Sequence, residues 1–371
     1  MIHMSNLWFR NIFKNLSRNN TFFPIDRRTV DKPICVVAAG ESLEQSIAFS
    51  RKIRKSLYIL AVDTALPVLV QSSIMPDGIC IVEAQITNSK DFIGTLGRFE
   101  HVFCDLSSHP CVAALFTGDQ SYADKLHFFY SSFSEAALFS RLEKHSLLPY
   151  KIPPLGSVGV VALYLATLLT DHPIFFTGLD FSFPLGKLHC RGTISHIHSL
   201  LTCNRVQPPQ QFTYTLNRPL YKTRDKNGKR CYTDVVLHAY SKSAKEIIAS
   251  RNHIYDIGGT GLPLGAQPLS TEGEWVKKIA ELRPDSTGVV TGPSAPVYNA
   301  EAIVSFLSEE EKILSESLEI TVDYLNGTHT NWVLLRETLE NINYTYVHFP
   351  DPGPLPADNK SFLKRVCYSI S

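Results

Sequence analysis

From Lys32 onward, short apolar runs rich in β-branched residues alternate with stretches whose apolar positions recur at helical spacing. That alternation predicts an α/β fold with a parallel sheet and crossover helices. Pro33 to Ala38 is the first expected strand, and Leu43, Ile47 and Ile53 mark the inner face of the helix behind Gly40. Leu57 to Val62 is the second; it ends at Asp63, after which Thr64 can cap a helix carrying Leu66, Leu69 and Val70. Pro67 is tolerated there because it falls in the first turn. Gly78 to Ala84 and His101 to Leu106 are further strands, and the pattern then weakens through Leu126 to Tyr130.

The pattern sharpens again at Gly156-Ser157, which opens an apolar helix from Val158 to Leu169, followed by a strand from Pro173 to Leu179 that ends at Asp180. Leu185 to Tyr232 has no clear periodicity and is expected to be a long loop or lid. A helix from His238 to Asn252, a strand from His253 to Ile257 and a tight turn at Gly258-Gly259-Thr260-Gly261 close the unit. Beyond Leu269 charged helical patterns take over, notably Thr271 to Leu282 and Glu301 to Glu319. The organisation expected is therefore a lead-in helix over residues 1–31, a Rossmann-like domain over 32–268 with the loop or lid at 185–232, and a mainly helical region over 269–371.

Composition narrows the classes. At 371 residues and 44% apolar content the chain can bury a large core. A net charge of +1 gives no reason to expect nucleic acid or an acidic membrane as partner. The eight cysteines are scattered without a C-x-x-C pair, as free core thiols in a reducing compartment would be. Met1 to Asn20 reads as an amphipathic helix, with Arg10, Lys14 and Arg18 among Phe9, Ile12 and Leu16, and is expected to dock on the main domain. It lacks the apolar h-region of a signal peptide, and the Val158–Leu169 run is too short to span a bilayer, so a cytoplasmic location without a transmembrane segment is expected.

Candidate chemistry sits at the C-terminal ends of the expected strands, the edge at which open α/β sheets bind ligands. Ala39-Gly40-Glu41-Ser42-Leu43 is a small-residue turn into a helix, able to offer backbone N–H groups to a phosphate; a plain structural turn capped by Ser42 is the alternative. The chain has neither G-x-G-x-x-G at this turn nor a G-x-x-x-x-G-K-[ST] loop anywhere. Val290 to Ser294 is a weaker anion turn. Asp63 and Asp180 could bind a ribose, a metal or a substrate, or cap helices; Glu83 emerges on the same edge, whereas Asp77 begins its strand at the opposite end and reads as a turn residue. His189, His196 and His198 cluster after Asp180, where a histidine could take a proton from a hydroxyl.

In order, these motifs resemble the family that contains the motility accessory factors of bacterial flagella and the archaeal 6-hydroxymethylpterin diphosphokinases. The likeness rests on Ala39-Gly40-Glu41-Ser42-Leu43, Ala61-Val62-Asp63-Thr64-Ala65-Leu66, Ile74-Met75-Pro76-Asp77, Gly156-Ser157-Val158, Phe176-Thr177-Gly178-Leu179-Asp180, Gly186-Lys187-Leu188-His189 and Tyr255-Asp256-Ile257-Gly258-Gly259. Glu41 stands where the family has proline, and Glu83 where it commonly has aspartate.

The resemblance implies a sialyltransferase-like Rossmann fold and two chemistries. In the first, a CMP-activated nonulosonic acid donates its sugar to a Ser or Thr of flagellin without a required metal. Ala39 to Leu43, Asp63, Thr64, Glu83, Gly156 and Ser157 then hold the donor nucleotide, and Asp180 and His189 are the catalytic candidates, His189 as base. In the second, ATP gives diphosphate to a pterin hydroxymethyl group, with Asp63, Glu83 and Asp180 as candidate Mg²⁺ ligands. The basic and aromatic lid, with Tyr214, Arg218, Tyr221, Lys222 and Arg224, favours a protein acceptor. A third possibility is a binding or assembly protein on the same scaffold that has lost catalysis.

Overall fold

The computed structural model describes residues 4–18, 21–22, 25, 29–97, 99–117, 125–131, 136–206, 219–269, 271–281, 297–298, 300–349 and 359–371. Tyr214, Arg218 and the Val290–Ser294 turn lie outside these residues. The chain begins with α1 (Ser5–Arg18), β1 (Thr21–Phe22), β2 (Ile34–Val37), α2 (Ser42–Lys52), β3 (Tyr58–Val62), α3 (Leu66–Gln71) and β4 (Gly78–Ile81). Next come β5 (His101–Asp105), α4 (Pro110–Thr117), β6 (Leu126–Ser131), α5 (Ala137–Lys144), β7 (Tyr150–Ile152), α6 (Val158–Leu169) and β8 (Ile174–Thr177). Then follow α7 (Ile194–Thr202), β9 (Tyr221–Arg224), β10 (Arg230–Thr233), α8 (Val235–Ala249), β11 (Ile254–Asp256) and β12 (Gln267–Pro268). The last elements are α9 (Glu272–Glu281), β13 (Val297–Tyr298), α10 (Ala300–Asn326), α11 (Trp332–Asn341) and α12 (Lys360–Ile370).

Nine strands form one sheet in the order β12-β11-β8-β2-β3-β4-β5-β6-β7, and every pair in it is parallel. The fold is thus the expected Rossmann-like α/β sheet with crossover helices. β2 and β3 are buried at every position, as strands covered on both faces must be, which is why they read as unbroken apolar runs. α6 is apolar nearly all round because it is wedged between β2, β3 and α8.

α1 docks on the sheet's other half. Phe9, Ile12 and Leu16 enter a core with Val102, Phe116 and Phe128. Between them Asn11 donates to the carbonyls of Ala84 and Ser107, and Asn15 to those of Leu106 and Ser108, at 2.8 to 3.0 Å. Those carbonyls leave the ends of β4 and β5 without strand partners, so the two amides close that edge. The same core takes Ile303 and Phe306 from α10 and Tyr344. Trp275 of α9 is buried in the core around β2 and α6, while α11 and α12 build a third cluster around Leu335, Leu339 and Phe362. The helical C-terminal region is as expected, and its helices share side-chain packing with the sheet rather than hanging free.

The segment expected as a long loop or lid carries regular structure among its described residues. Residues 185–232 contain α7, capped by Thr193, and a hairpin of β9 and β10 with Arg230 opposite Arg224. The hairpin is anchored by the bridge between Phe183 and Tyr232. Its alternating residues bury only Cys231 and Thr233, too few apolar positions to register as a strand. No helix among the described residues is long and apolar enough to cross a membrane.

Candidate functional site

β2 is the hub of the sheet. From it the chain runs outward through β3 to β7, and α6 then carries it back across to β8 on the other side of β2. The loops leaving β2 and β8 therefore diverge, and the crevice between them is where such sheets bind ligands. A cleft with a cavity volume of about 150 Å³ opens there, and Ala39, Gly40, Thr64, Ser157, Asp180 and His189 are among its lining residues. Six of the twelve positions singled out from sequence are thus brought together across four separate loops.

Asp180 does not present its carboxylate to the cleft as a free group. Its Oδ2 accepts from the Ser42 backbone N–H at 2.8 Å, its Oδ1 accepts from the Ser42 hydroxyl, and the Gly178 N–H donates to Ser42 Oγ at 2.9 Å. The N-terminus of α2 is already capped by a carboxyl group supplied by the chain itself. Burial pushes the Asp180 carboxyl up to about 7, against the two Ser42 donors and the nearby Lys226 ammonium, which lower it. Gly40 is glycine for the same contact: a Cβ there would lie 2.5 Å from the Gly178 carbonyl oxygen and 2.6 Å from Asp180 Oδ2. Gly178, at φ +74°, has no room either, since a Cβ would meet the Ala38 carbonyl oxygen at 2.0 Å. The tight turn is shaped by self-packing between the ends of β2 and β8.

The other members of that turn point elsewhere. Ser42 and Leu43 are buried, Leu43 in the hydrophobic core. Glu41 is outside the cleft lining, with the Lys187 ammonium 3.4 Å from its carboxylate; Lys187 also reaches Glu44 at 2.8 Å. The charge that replaces the family's proline is therefore turned to a basic partner. Gly156 is exposed just ahead of the cleft at φ +71°, with Tyr240 filling the space a Cβ would need.

Asp63 is buried behind the cleft rather than in it. It opens a 3₁₀ turn from Asp63 to Ala65, so Thr64 is not a helix cap; instead Asp63 Oδ1 accepts from the Thr64 N–H at 2.8 Å and Oδ2 from Asn88 at 2.6 Å. Burial raises its carboxyl to about 6 and that of neighbouring Asp91 to about 7, each helped by a like charge. Glu83 is exposed and accepts from the Gln85 N–H. Asp77 sits at the opposite sheet edge, as read, binding the Ile59 N–H and Arg54. Among the described residues no three His, Cys, Asp or Glu side chains gather as a metal-holding group. Asp63, Glu83 and Asp180 accordingly do not fit a shared Mg²⁺.

His189 lines the cleft, and desolvation holds its imidazole below the ordinary histidine value, so it is neutral at pH 7. His196 and His198 ride on α7; His196 Nδ1 accepts from the Gly192 N–H and His198 is exposed. Ser157 is the N-cap of α6 with no side-chain cap bond, and Ser157, Val158 and Gly159 line the cleft together with His189. The positive end of α6 thus opens where that of α2 is closed.

Sequence reasoning missed Phe181, Ser182 and Phe183, which line the cleft, and the half-buried ion pair of Lys226 with Asp256 at 2.6 Å near Asp180. Phe181 has φ +48°; the only signal was the Phe-Ser-Phe-Pro run after Asp180.

A switch-point cleft built from strand-end loops is the mark of a Rossmann-like ligand-binding protein. Residues 8–186 match the family described as 6-hydroxymethylpterin diphosphokinase MptE-like, to which the chain's motifs are similar. The whole chain superposes on a MAf glycosyltransferase from Magnetospirillum magneticum AMB-1 with a TM-score of 0.60 at 15% identity, covering 100% of this chain and 58% of that one. The fold is shared. Two proteins of Treponema pallidum (strain Nichols), both described as uncharacterized, are also similar. One is 28% identical over 99% of this chain and 65% of its own length; the other is 33% identical over 23% and 40%. The chain thus spans less than two thirds of each of these relatives.

Proposed function

We propose that the chain is a transferase that takes a nucleotide-activated donor in the switch-point cleft, and that the donor is a CMP-nonulosonic acid whose sugar passes to a Ser or Thr hydroxyl of flagellin. The observation that carries the transferase reading is the convergence of Gly40, Thr64, Ser157 and His189 on one cleft at the sheet's ligand edge. The MAf glycosyltransferase fold of the neighbour supports the choice of glycosyl transfer.

In this reading the donor phosphate sits against the N-terminal turn of α6 at Ser157 to Gly159, where backbone N–H groups and the helix dipole stabilise it as it leaves. The Ala39–Gly40 backbone forms the facing wall. His189, neutral at pH 7, takes the acceptor hydroxyl's proton as the oxygen attacks the anomeric carbon and the bond to the phosphate oxygen breaks, its electron pair leaving with the nucleotide. Asp180 is a positioning residue, holding the ends of β2 and β8 together through Ser42. The cleft's volume is below the roughly 300–1,000 Å³ of ordinary small-molecule pockets, so donor binding requires the loops over it to part.

ATP-dependent diphosphate transfer is the second reading, supported by the family's description; the scattered carboxylates weigh against its Mg²⁺ set. Thermal shift with CMP, and separately with ATP and Mg²⁺, tests the choice. Stabilisation by CMP without metal is expected. A response confined to ATP with Mg²⁺ overturns glycosyl transfer, and a protein indifferent to both is a scaffold.

A further inference from the structure

A second compartment, with a cavity volume of about 140 Å³, lies beneath the β9–β10 hairpin. Ser182 and Phe183 line both it and the switch-point cleft, so the two are separated by the segment that follows Asp180. The compartment also receives Gln45 from α2, Thr260 from the turn after β11, and Lys229 and Arg230 from the hairpin. None of these was tied to function by the reading of the cleft.

Its chemistry is specific. Thr260 Oγ1 is buried and has no hydrogen-bond partner among the described residues. Native interiors pair nearly all such groups, so an unpaired hydroxyl lining a cavity calls for a partner from outside the chain. Four charged residues line the space, and the two acids are engaged: Asp225 Oδ1 accepts from the Asn227 and Lys229 N–H groups of its own turn, and Glu41 has Lys187 at 3.4 Å. Lys229 and Arg230 form no ion pair with a described residue and are exposed. Phe183 and Pro184 add an apolar wall. Two available cations, hydroxyl and amide groups and one aromatic face together match a ligand that carries an anionic group beside hydroxyls on a carbon skeleton.

We infer that this compartment is a subsite for a small hydroxylated anion, a sugar acid or sugar phosphate; its assignment to the non-nucleotide substrate rests on the transferase reading, but its binding chemistry does not. Lys229 and Arg230 hold the anionic group, and Thr260, Gln45 and Ser182 bind the hydroxyls. The volume admits a group well below drug size.

Calorimetric titration of the full chain with gluconate, glucose 6-phosphate, glucose and inorganic phosphate tests this, with CMP titrated in parallel. Gluconate or glucose 6-phosphate should bind saturably and at least about tenfold more tightly than glucose or inorganic phosphate, a gap of about 1.4 kcal/mol. Thr260→Val should weaken that binding several-fold without lowering Tm, because the lost hydroxyl bonds nothing in the free protein. Lys229→Gln with Arg230→Gln should abolish it while CMP binding persists. Absence of saturable binding, affinity unchanged in both variants, or phosphate binding as tightly as glucose 6-phosphate would each overturn the inference. If CMP fails to bind while the anion binds in a Thr260-dependent way, the subsite stands and the donor reading falls.

Discussion

Asp180 and Ser42, 138 residues apart, are joined by two hydrogen bonds that close the N-terminus of α2 with a carboxylate of the same chain. That contact decides how the most conspicuous turn in the sequence is used. The expected phosphate cradle is occupied from within, and the free helix end in the cleft belongs to α6.

Asp180→Asn places an amide N–H₂ against a donor and, because the carboxyl is mostly protonated at pH 6, should cost about 0.5–1.5 kcal/mol, the range for hydrogen bonds between neutral groups. Urea unfolding of both proteins at pH 6 measures it; a loss under about 0.5 kcal/mol would mean the lock contributes little.

The pH dependence of stability has a definite sign. The folded carboxyls of Asp180, Asp91 and Asp63, at about 7, about 7 and about 6, lie above the unfolded value near 3.9. The folded state therefore holds protons that the unfolded state releases, and stability present below about pH 4 is lost as pH rises through 7. Asp180→Asn should flatten the slope of stability against pH between pH 5 and 7.5, leaving the part due to Asp63 and Asp91. An unchanged slope would show that Asp180 stays ionised across the range.

Under the proposed glycosyl transfer, in which the imidazole takes the acceptor's proton and backbone groups hold the phosphate, His189→Ala should abolish sugar transfer while CMP still produces a thermal shift. Because desolvation lowers the His189 pKa, the acid limb of kcat in the wild type should fall below pH 6.5. Turnover that survives the substitution removes His189 from the chemistry.

Glu310 ties the C-terminal helices to the sheet. Arg141 donates to both its oxygens at 2.6 and 2.7 Å, and the Tyr344 hydroxyl donates at 2.6 Å. Glu310→Leu leaves a half-buried guanidinium without its partner and should cost about 3–5 kcal/mol. Hydrogen exchange should accelerate in α5, α10 and α11; protection unchanged there would place the anchoring in the Phe306 and Tyr344 packing instead.

Removing the α1 amides with Asn11→Ala and Asn15→Ala leaves four strand-end carbonyls without those donors. A loss of about 2–4 kcal/mol is expected from the hydrogen bonds involved, read as a lower urea midpoint and faster proteolysis near Arg18. A cleavage rate equal to that of the wild type would mean Phe9, Ile12 and Leu16 hold the helix alone.

Much of the sheet was legible because strands buried on both faces leave unbroken runs such as Ile34–Val37 and Tyr58–Val62, and α6 leaves a continuous apolar helix. Short, half-exposed pieces were not: β7 has three residues and β9 none that is buried. In the site, Thr64 and Ser157 entered through the motif resemblance and His189 through the histidine cluster after Asp180, whereas Ala39, Gly40 and Asp180 were found by their place at strand ends, and all six share a cleft. Asp63, Glu83 and Leu43 were drawn in by the same rule and lie outside it, since being at a strand end does not say which way a side chain turns.

The sequence by itself determined the layered α/β plan, the docking of α1 and the edge that carries the cleft, because local periodicity and turn chemistry are properties of neighbouring residues. Only the tertiary structure decided that β8 lies beside β2, that Asp180 reaches Ser42, that Glu41 turns to Lys187, and that Thr260 faces a cavity under the hairpin. Each of those depends on a contact between segments far apart in the chain, and such a contact is set by how the packed elements meet.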